Sequence, residues 1–459
     1  MNSPPFQASG NARPRLRNFR PDLLVEWVST RTLRCNPGPR EHTDRQVKQI
    51  GWSISTFGFL VPILVDNNGD VLAGVARLRA AEKIGMPEVP VVRVTHLTEA
   101  EKRAFKIADN RLTEHAKWND RLLAETLKDL SALDLDFSLE VTGFSTAEID
   151  LRIEGLSTTA ADEPDPADQV PEPVGQVPVS TLGDTLQLGR HRLLCGNALE
   201  LRAFEDLMQG AQAAMVFIDP PYNVPIDGHV SGLGTIHHRE FAMASGEMSA
   251  PQYTSFLALV LTALARHSVD GAILFSCMDW RHLGELLAAG KMSNLELKNI
   301  CVWVKHNAGM GSLYRSQYEN IAVFKAGGGP HRNNIELGRH GRHRSNVWSY
   351  PSINNFGRAA EEGHLLALHP TVKPVRLAAD AILDCSAHGD IVLDSFLGSG
   401  TTLIAAERTG RRCYGMEIDP LYVDTAVRRW QAYTGDYAVH AVSGKRFDAI
   451  AAEKGSRHD

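Results

Sequence analysis

The segment VFIDPPYNVP, Val216 to Pro225, ends a β-branched and aromatic run on a single carboxylate and follows it with two prolines and a tyrosine. Val216, Phe217 and Ile218 have the character of a buried strand, and prolines cannot continue its ladder. Asp219 is therefore expected at the carboxyl tip of a strand. Its carboxylate accepts hydrogen bonds, and the carbonyl of Pro220 or Pro221 supplies a second acceptor, because proline fixes φ and removes the N–H that would otherwise occupy the spot. Two such acceptors at one strand tip can orient a hydrogen-bond donor. Tyr222 offers a ring face for stacking.

A second stretch, DIVLDSFLGSGTTLIAAERTGRRCYGMEID, reads as a strand ending at Asp394, a tight turn with Gly398 and Gly400, a helix from about Thr401 and a strand ending at Glu417. Glycines there let the backbone approach a ligand, and an acid at the next strand tip can take two ribose hydroxyls. The turn lacks the lysine of a phosphate-cradling P-loop and has Leu403 where the dinucleotide fingerprint has its third glycine. A third stretch, HPTVKP from His369 to Pro374, read alone is a loop with two prolines.

The elements that must position these residues follow from the wider pattern. The 459 residues suffice for two or three domains. Between Gly155 and Pro178 a proline-rich segment carries Asp162, Glu163, Asp165, Asp168 and Glu172 with no lysine or arginine, and reads as an interdomain linker. Downstream of it, AMVFID, GAILFS, NICVWV, NIAVFKA, DIVLDSF and RCYGMEID alternate in part with amphipathic helices, the signature of an open α/β sheet. Upstream, GFLVPILVDNNGDVLAGVARLRAAEKIG gives a strand, an Asn-Gly turn, a second strand and a helix that stops at Gly85; the strand VPVVRV and helices from Thr98 to about Leu156 follow. This is a small α+β domain with a helical extension.

The net charge of −6 conceals a basic stretch, HRNNIELGRHGRHR, with Arg332, Arg339, Arg342 and Arg344 against Glu336. Such a patch suits phosphates. The six scattered cysteines form neither a CxxC pair nor a metal-ligand cluster, so no metal is expected. No apolar run approaches the roughly 20 residues of a membrane span, and MNSPPFQASGNARPRLR lacks the apolar core of a secretory signal, so a cytoplasmic, nucleoid-associated protein without membrane contact is expected.

Taken together and in this order, DPPY, HPTVKP and DSFLGSGTT resemble the β-class of S-adenosylmethionine-dependent DNA amino-methyltransferases, whose catalytic motif precedes the cofactor motif. The likeness runs from about Gly183 to Gly435. It implies a Rossmann-like methyltransferase with a mostly parallel, doubly wound sheet. It further implies that Asp394, Phe396, Gly398, Ser399, Gly400 and Thr401 line the methionine end of S-adenosylmethionine, that Glu417, with Asp419 near it, holds the ribose, and that His369, Thr371 and Lys373 close the pocket. Asn197 stands near the adenine, where relatives usually have an aspartate. Asp219, Pro220, Pro221 and Tyr222 are implied as the catalytic set, acting on the exocyclic N6 of an adenine flipped out of double-stranded DNA. The region between the motifs, 225–355, would read the target, its arginines meeting phosphates or guanine edges.

The upstream segment resembles the ParB-like N-terminal domain through Asn36, Pro37, the FGFLVPILVD strand, and Gly74 and Arg77 of a GxxR turn, with Val75 and Ala76 where partition proteins have a glutamate and an arginine. A nucleotide at that turn is compatible with the resemblance, as is a homodimer for the whole. The expected layout is a ParB-like domain with helical extension over 18–154, a linker over 155–178, the methyltransferase over 179–438 and a tail over 439–459. The alternatives are N4-cytosine transfer, RNA or protein methylation, or a nucleotide-gated ParB-like DNA-binding protein whose methyltransferase domain is inactive. Asp219 favours DNA adenine, since the resemblance associates serine there with cytosine and asparagine with RNA or protein.

Overall fold

The structure is a computed structural model and describes residues 23–36, 41–114, 118–133, 135–156, 165–171, 177–224, 244, 246–305, 313–335, 342–351 and 372–455. The chain divides into two compact units. One holds the residues up to Asn119 together with Glu140–Phe144, and the other Asp120–Leu139 and everything from Ser145 onward.

The first unit is an α+β fold. Its elements are β1 (Val25–Ser29), α1 (Asp44–Phe57), β2 (Ile63–Val65), β3 (Val71–Ala73), α2 (Val75–Lys83), β4 (Glu88–Arg93) and α3 (Glu99–Glu114). The strands form one sheet in the order β1-β4-β2-β3. Alternating aliphatics Ile63, Val65, Val89 and Val91 face Leu78 and Ala81 of α2 and make the core. The Asn-Gly turn forms as expected, with Asp66 Oδ1 accepting the amides of Asn68 and Asp70 and Gly69 at φ +80°. Such Asx geometry fixes the hairpin locally.

The second unit contains α4 (Asp120–Ala132), α5 (Thr146–Glu154), β5 (Thr185–Leu188), β6 (His191–Cys195), α6 (Leu201–Met208), β7 (Ala213–Ile218), α7 (Ala250–Arg266), β8 (Ser268–Met278), α8 (Leu283–Met292), β9 (Glu296–Val304), β10 (Tyr318–Lys325), β11 (Val347–Ser349), α9 (Val375–Cys385), β12 (Ile391–Asp394), α10 (Thr401–Arg408), β13 (Arg412–Glu417), α11 (Pro420–Thr434), β14 (Ala438–His440) and α12 (Phe447–Gly455). Ten strands make one sheet ordered β11-β9-β10-β8-β7-β12-β13-β6-β5-β14. Strands β8, β7, β12, β13 and β6 run parallel, so their carboxyl tips share one edge. Strand β10 is antiparallel to both neighbours, which brings its start to that same edge. Two apolar layers sandwich the sheet, one with α9, α10 and α11 and the other with α6, α7 and α8. This is the mostly parallel, doubly wound sheet expected. Among the described residues no helix is long and apolar enough to cross a membrane.

The helical extension and the linker differ from expectation. Helices α4 and α5 group with the second unit. Helix α5 starts on a capping box, Ser145 with Glu148, and buries Ile149 and Asp150. Within the expected linker, Pro166–Asp168 form a helical turn whose Asp168 carboxylate accepts the Val375 amide at 2.7 Å, while Ala167 O accepts from Arg429 at 2.9 Å and Asp165 pairs with Arg408. Asp165 and Asp168, two of the five acids of the expected linker, thus have partners inside the second unit, and composition carries no sign of them.

Candidate active site at the carboxyl edge of the sheet

The site is assembled by strand tips. Register sets Val216 of β7 beside Leu393 of β12, and Asp394 beside Gly415 of β13. Asp219 therefore leaves β7 next to the glycine turn that leaves β12. Tyr253, fully buried on α7, donates its hydroxyl to Pro221 O at 2.7 Å. Asn223, at φ +53°, locks the far side of the turn by donating to Met248 O and accepting from the amides of Gly246 and Met248. Tyr253 thus takes one of the two acceptor positions of Pro221 O on the turn beside Asp219.

Asp219 is the centre of an ionic cluster. Its Oδ2 lies 2.6 Å from Lys373 Nζ, and its Oδ1 accepts the Tyr222 hydroxyl at 2.6 Å. Lys373 Nζ also lies 3.1 Å from Glu319 Oε2, and the other oxygen of Glu319 pairs with Lys305. Glu319 Oε2 lies 3.2 Å from the Tyr222 hydroxyl. Burial pushes the Asp219 carboxyl up, as does the like charge of Glu319, against the pull of Lys373. Burial would raise Glu319 too, but two ammonium groups outweigh it and its pKa falls to about 2. For Lys373 the two carboxylates outweigh the desolvation that favours the neutral amine, and its pKa rises. The resemblance implies that Lys373 closes the cofactor pocket; its carbonyl meets Thr401 of the glycine turn and its ammonium lies at Asp219. Sequence reasoning did not single out Glu319 or Lys305. Their only sequence signal is a charge at each end of an apolar strand pair, YENIAVF and NICVWVK.

On the other side of Asp219 lie two buried carboxylates. Asp394 accepts the Phe396 amide at 2.9 Å, and burial, with help from the charges of Asp219 and Glu417, pushes its pKa up to about 7. Glu417 accepts the Gly398 amide at 2.8 Å and the Asp419 amide at 2.9 Å, and burial raises it as well. Neither has a cationic partner among the described residues. Each retains lone pairs beyond those the amides use, since a carboxylate has about four acceptor positions. Gly398 and Gly400 adopt φ +52° and +90°, the left-handed region that favours glycine. A Cβ on Gly400 would sit 3.1 Å from that of Ala426 on α11. Buried Arg429, which sequence reasoning did not single out, braces the turn by donating to Ser399 O at 3.1 Å. Thr401 Oγ1 donates to Lys373 O at 3.3 Å, tying the turn to the HPTVKP segment. Phe396 packs beside Phe256, Asp419 caps α11, and Asn197 accepts the Leu199 amide in an Asx turn after β6. His369 and Thr371 lie outside the described residues.

The basic stretch is corrected by the structure. Arg342, 5% exposed, spans Asp384 at 3.0 Å, Asp380 at 3.2 Å and Glu154 at 2.9 Å. Arg344 lies 3.0 Å from Asp384 and donates to Tyr350 at 2.7 Å. Both guanidinium groups are paired with Asp380 and Asp384, one turn apart on α9; each nitrogen of the Arg342 group is engaged, while Arg344 Nη2 is buried with no partner among the described residues. Arg332 is exposed, with its Nη1 3.5 Å from Thr146 Oγ1, and Arg339 lies outside the described residues.

Buried acceptors without a cationic partner among the described residues, beside a backbone turn that favours glycine, suit a ligand carrying its own positive charge and hydroxyls. Residues 213–428 match the DNA methylase family of N6 and N4 enzymes, residues 121–182 the ParB-methyltransferase HTH domain and residues 24–111 the ParB N-terminal domain. Residues 213–428 thus carry a domain of the N6/N4 DNA methylase kind, in a fusion with a ParB N-terminal domain, and the methyl donor of such domains is S-adenosylmethionine. It is 39% identical over 90 residues to the orphan methyltransferase M.BamHII of Bacillus amyloliquefaciens, covering 20% of this chain and 33% of that one. It is 25% identical over 252 residues to the type II methyltransferase M2.MboI of Moraxella bovis, covering 52% and 87%. The match thus spans only about a third of M.BamHII. Among solved structures, the cytosine-N4-specific PvuII DNA methyltransferase is similar at 15% identity and a TM-score of 0.40, covering 61% of this chain and 94% of that one.

Proposed function

We propose that this protein is a site-specific DNA methyltransferase that moves a methyl group from S-adenosylmethionine to the exocyclic N6 of adenine in double-stranded DNA. The observation that carries the reading is the placing of Asp219 and the carbonyls of Pro220 and Pro221 at one strand tip, with the uncompensated carboxylates Asp394 and Glu417 at the next two. Asp394 would meet the donor's ammonium group, and Glu417 its ribose hydroxyls. When bound, the donor supplies an electrophilic methyl group. The chain's own contribution is geometric: Asp219 Oδ and the carbonyl of Pro220 or Pro221 accept the two hydrogens of the target amine, whose lone pair is otherwise delocalised into the base, and turn it toward the methyl group. The base must leave the duplex to arrive there, and stacking on the Tyr222 ring would offset part of the unpairing cost. His369, Thr371, Asn197, Ser399, Thr401, Phe396 and Asp419 would complete the cofactor pocket.

Asp219 accepts an amine of either kind, so N4-cytosine transfer is the second reading; the acidic residue ahead of Pro-Pro-Tyr supports adenine. Duplex DNA incubated with the protein and labelled donor, then digested and analysed by mass spectrometry, should yield N6-methyladenine. N4-methylcytosine alone would overturn the base and keep the chemistry, whereas no methylated base would overturn both.

For the first unit we propose a nucleotide at the GxxR turn. Gly74 caps α2 at φ +103°, and Arg77 Nε has no partner among the described residues. A helix N-terminus of this kind suits phosphate. Binding of a labelled nucleoside triphosphate, lost in Arg77→Ala, is the corresponding measurement. As domain limits we propose a ParB-like part ending near Asn119 and a second part that begins with α4.

A further inference from the structure

Asp219, Glu319, Lys305 and Lys373 form a closed set in which two negative charges meet two positive ones. Stability alone does not call for such a set, because apolar residues of similar volume commonly replace buried ion pairs without loss. Its shape points elsewhere. The Lys373 side chain is 3% exposed and its Nζ is suspended between Asp219 Oδ2 at 2.6 Å and Glu319 Oε2 at 3.1 Å. Tyr222 repeats the arrangement, 2.6 Å from Asp219 and 3.2 Å from Glu319. Among the described residues, both side-chain donors that reach Asp219 thus also reach Glu319, and they are joined to each other, Lys373 Nζ donating to the Tyr222 hydroxyl at 3.1 Å. Lys305, over the Trp303 ring at 4.9 Å, holds Glu319 from behind.

We propose that Glu319 is a positioning residue for methyl transfer: it shares the Lys373 ammonium and the Tyr222 hydroxyl with Asp219, so that neither saturates the carboxylate that must accept the target amine. This rests on the methyltransferase reading above. Entry of the amine would move Lys373 toward Glu319 without stranding a buried charge, which is the costly event in such a site. No bond is made or broken in this exchange; hydrogen bonds alone are redistributed.

The charge count makes the role testable. The groups facing Asp219 are Lys373 ahead of α9, Glu319 on β10 with Lys305 behind it, Cys277 on β8, Asp394 on β12 and Tyr222 on its own turn. Cys277 and Tyr222 are held neutral by burial. Glu319→Gln therefore leaves an excess positive charge beside Asp219 and lowers its pKa, while Lys373→Met leaves an excess negative charge and raises it.

The experiment is single-turnover methylation by the full chain at saturating duplex DNA and S-adenosylmethionine, across pH, with both binding affinities measured separately by calorimetry. Glu319→Gln should lower the rate at neutral pH by roughly 100-fold, the scale of a misplaced catalytic group, and move the acid limb to lower pH. Lys373→Met should move that limb to higher pH. Glu319→Asp, which keeps the charge, should return the limb to the wild-type position, and both affinities should stay within about threefold in Glu319→Gln, since Glu319 is assigned to neither ligand. The proposal is overturned if Glu319→Gln keeps the wild-type rate and limb, if the Gln and Met variants move the limb in the same direction, or if Glu319→Asp behaves like Glu319→Gln. A wild-type chain that binds DNA and transfers no methyl group would instead overturn the enzymatic reading, and a folded chain with weakened affinities in Glu319→Gln would make the residue part of ligand binding.

Discussion

Asp150 and Arg411 stand 261 positions apart in the chain and meet as a buried, two-pronged pair, each Nη of the guanidinium 2.9 Å from one carboxylate oxygen. Burial would raise the Asp150 carboxyl, but the Arg411 guanidinium outweighs it and holds the pKa at about 2. The pair ties α5 into the second unit, because separating them would strand both charges in an apolar interior.

Removing one partner of such a pair costs about 3 to 5 kcal/mol. Asp150→Ala should therefore lose about that much stability in urea unfolding of the full chain. A truncated chain starting near Val177 should be unstable for the same reason, since it deletes α4 and α5 and leaves Arg411 unpaired. Starting near Asp120 should preserve the fold. Equal stability of the two truncations would show that the pair is dispensable.

Arg342 yields a contrast between stability and DNA affinity. Arg342→Ala removes the charge that three carboxylates share, and should destabilise the unit by about 3 to 5 kcal/mol. The slope of DNA affinity against salt should be unchanged, because a residue without a phosphate contact releases no counterion. A salt slope shallower by about one would instead place Arg342 on the DNA backbone.

Much of the sheet was legible because β7, β8, β9, β10, β12 and β13 are apolar runs ended by glycine, proline or charge. The hairpin β5–β6 and the short β11 and β14 were not, being mixed in polarity and three to five residues long. Asp219, Asp394 and Glu417 were readable for one reason: each terminates an apolar run in a parallel strand, and parallel strands share an edge. Glu319 opens its run instead. It reaches the same edge only because β10 is antiparallel, and nothing local to the sequence states a strand's direction. Arg342 and Arg344 were misread as a free basic patch because the acids that take them lie about forty positions downstream, facing inward on α9.

Tyr253→Phe tests the turn that carries Pro220 and Pro221. The substitution removes one buried hydroxyl and leaves Pro221 O unpaired, a loss of about 1 to 3 kcal/mol by unfolding. Methylation should fall more than donor binding, since the hydroxyl holds the catalytic turn and touches none of the residues assigned to the donor. Loss of donor affinity in proportion to rate would show that the whole edge has moved.

Asp394 predicts a pH dependence in two linked measurements. Its folded pKa, raised by burial to about 7, lies above the ordinary value of 3.8, so the folded unit keeps a proton that the unfolded chain has released. Stability contributed by this group is therefore present at low pH and declines as pH rises from about 4 to about 7. A donor bearing an ammonium group selects the ionised carboxylate. Its binding should then expel close to one proton at pH 6 and much less than one at pH 8, with affinity rising across that interval. Calorimetry of S-adenosylmethionine binding in two buffers of different ionisation heat counts the protons directly. Asp394→Asn should abolish both the release and the pH dependence of affinity while removing the decline in stability. Proton uptake at pH 6, or release that survives in Asp394→Asn, would show that Asp394 does not face the donor's charge.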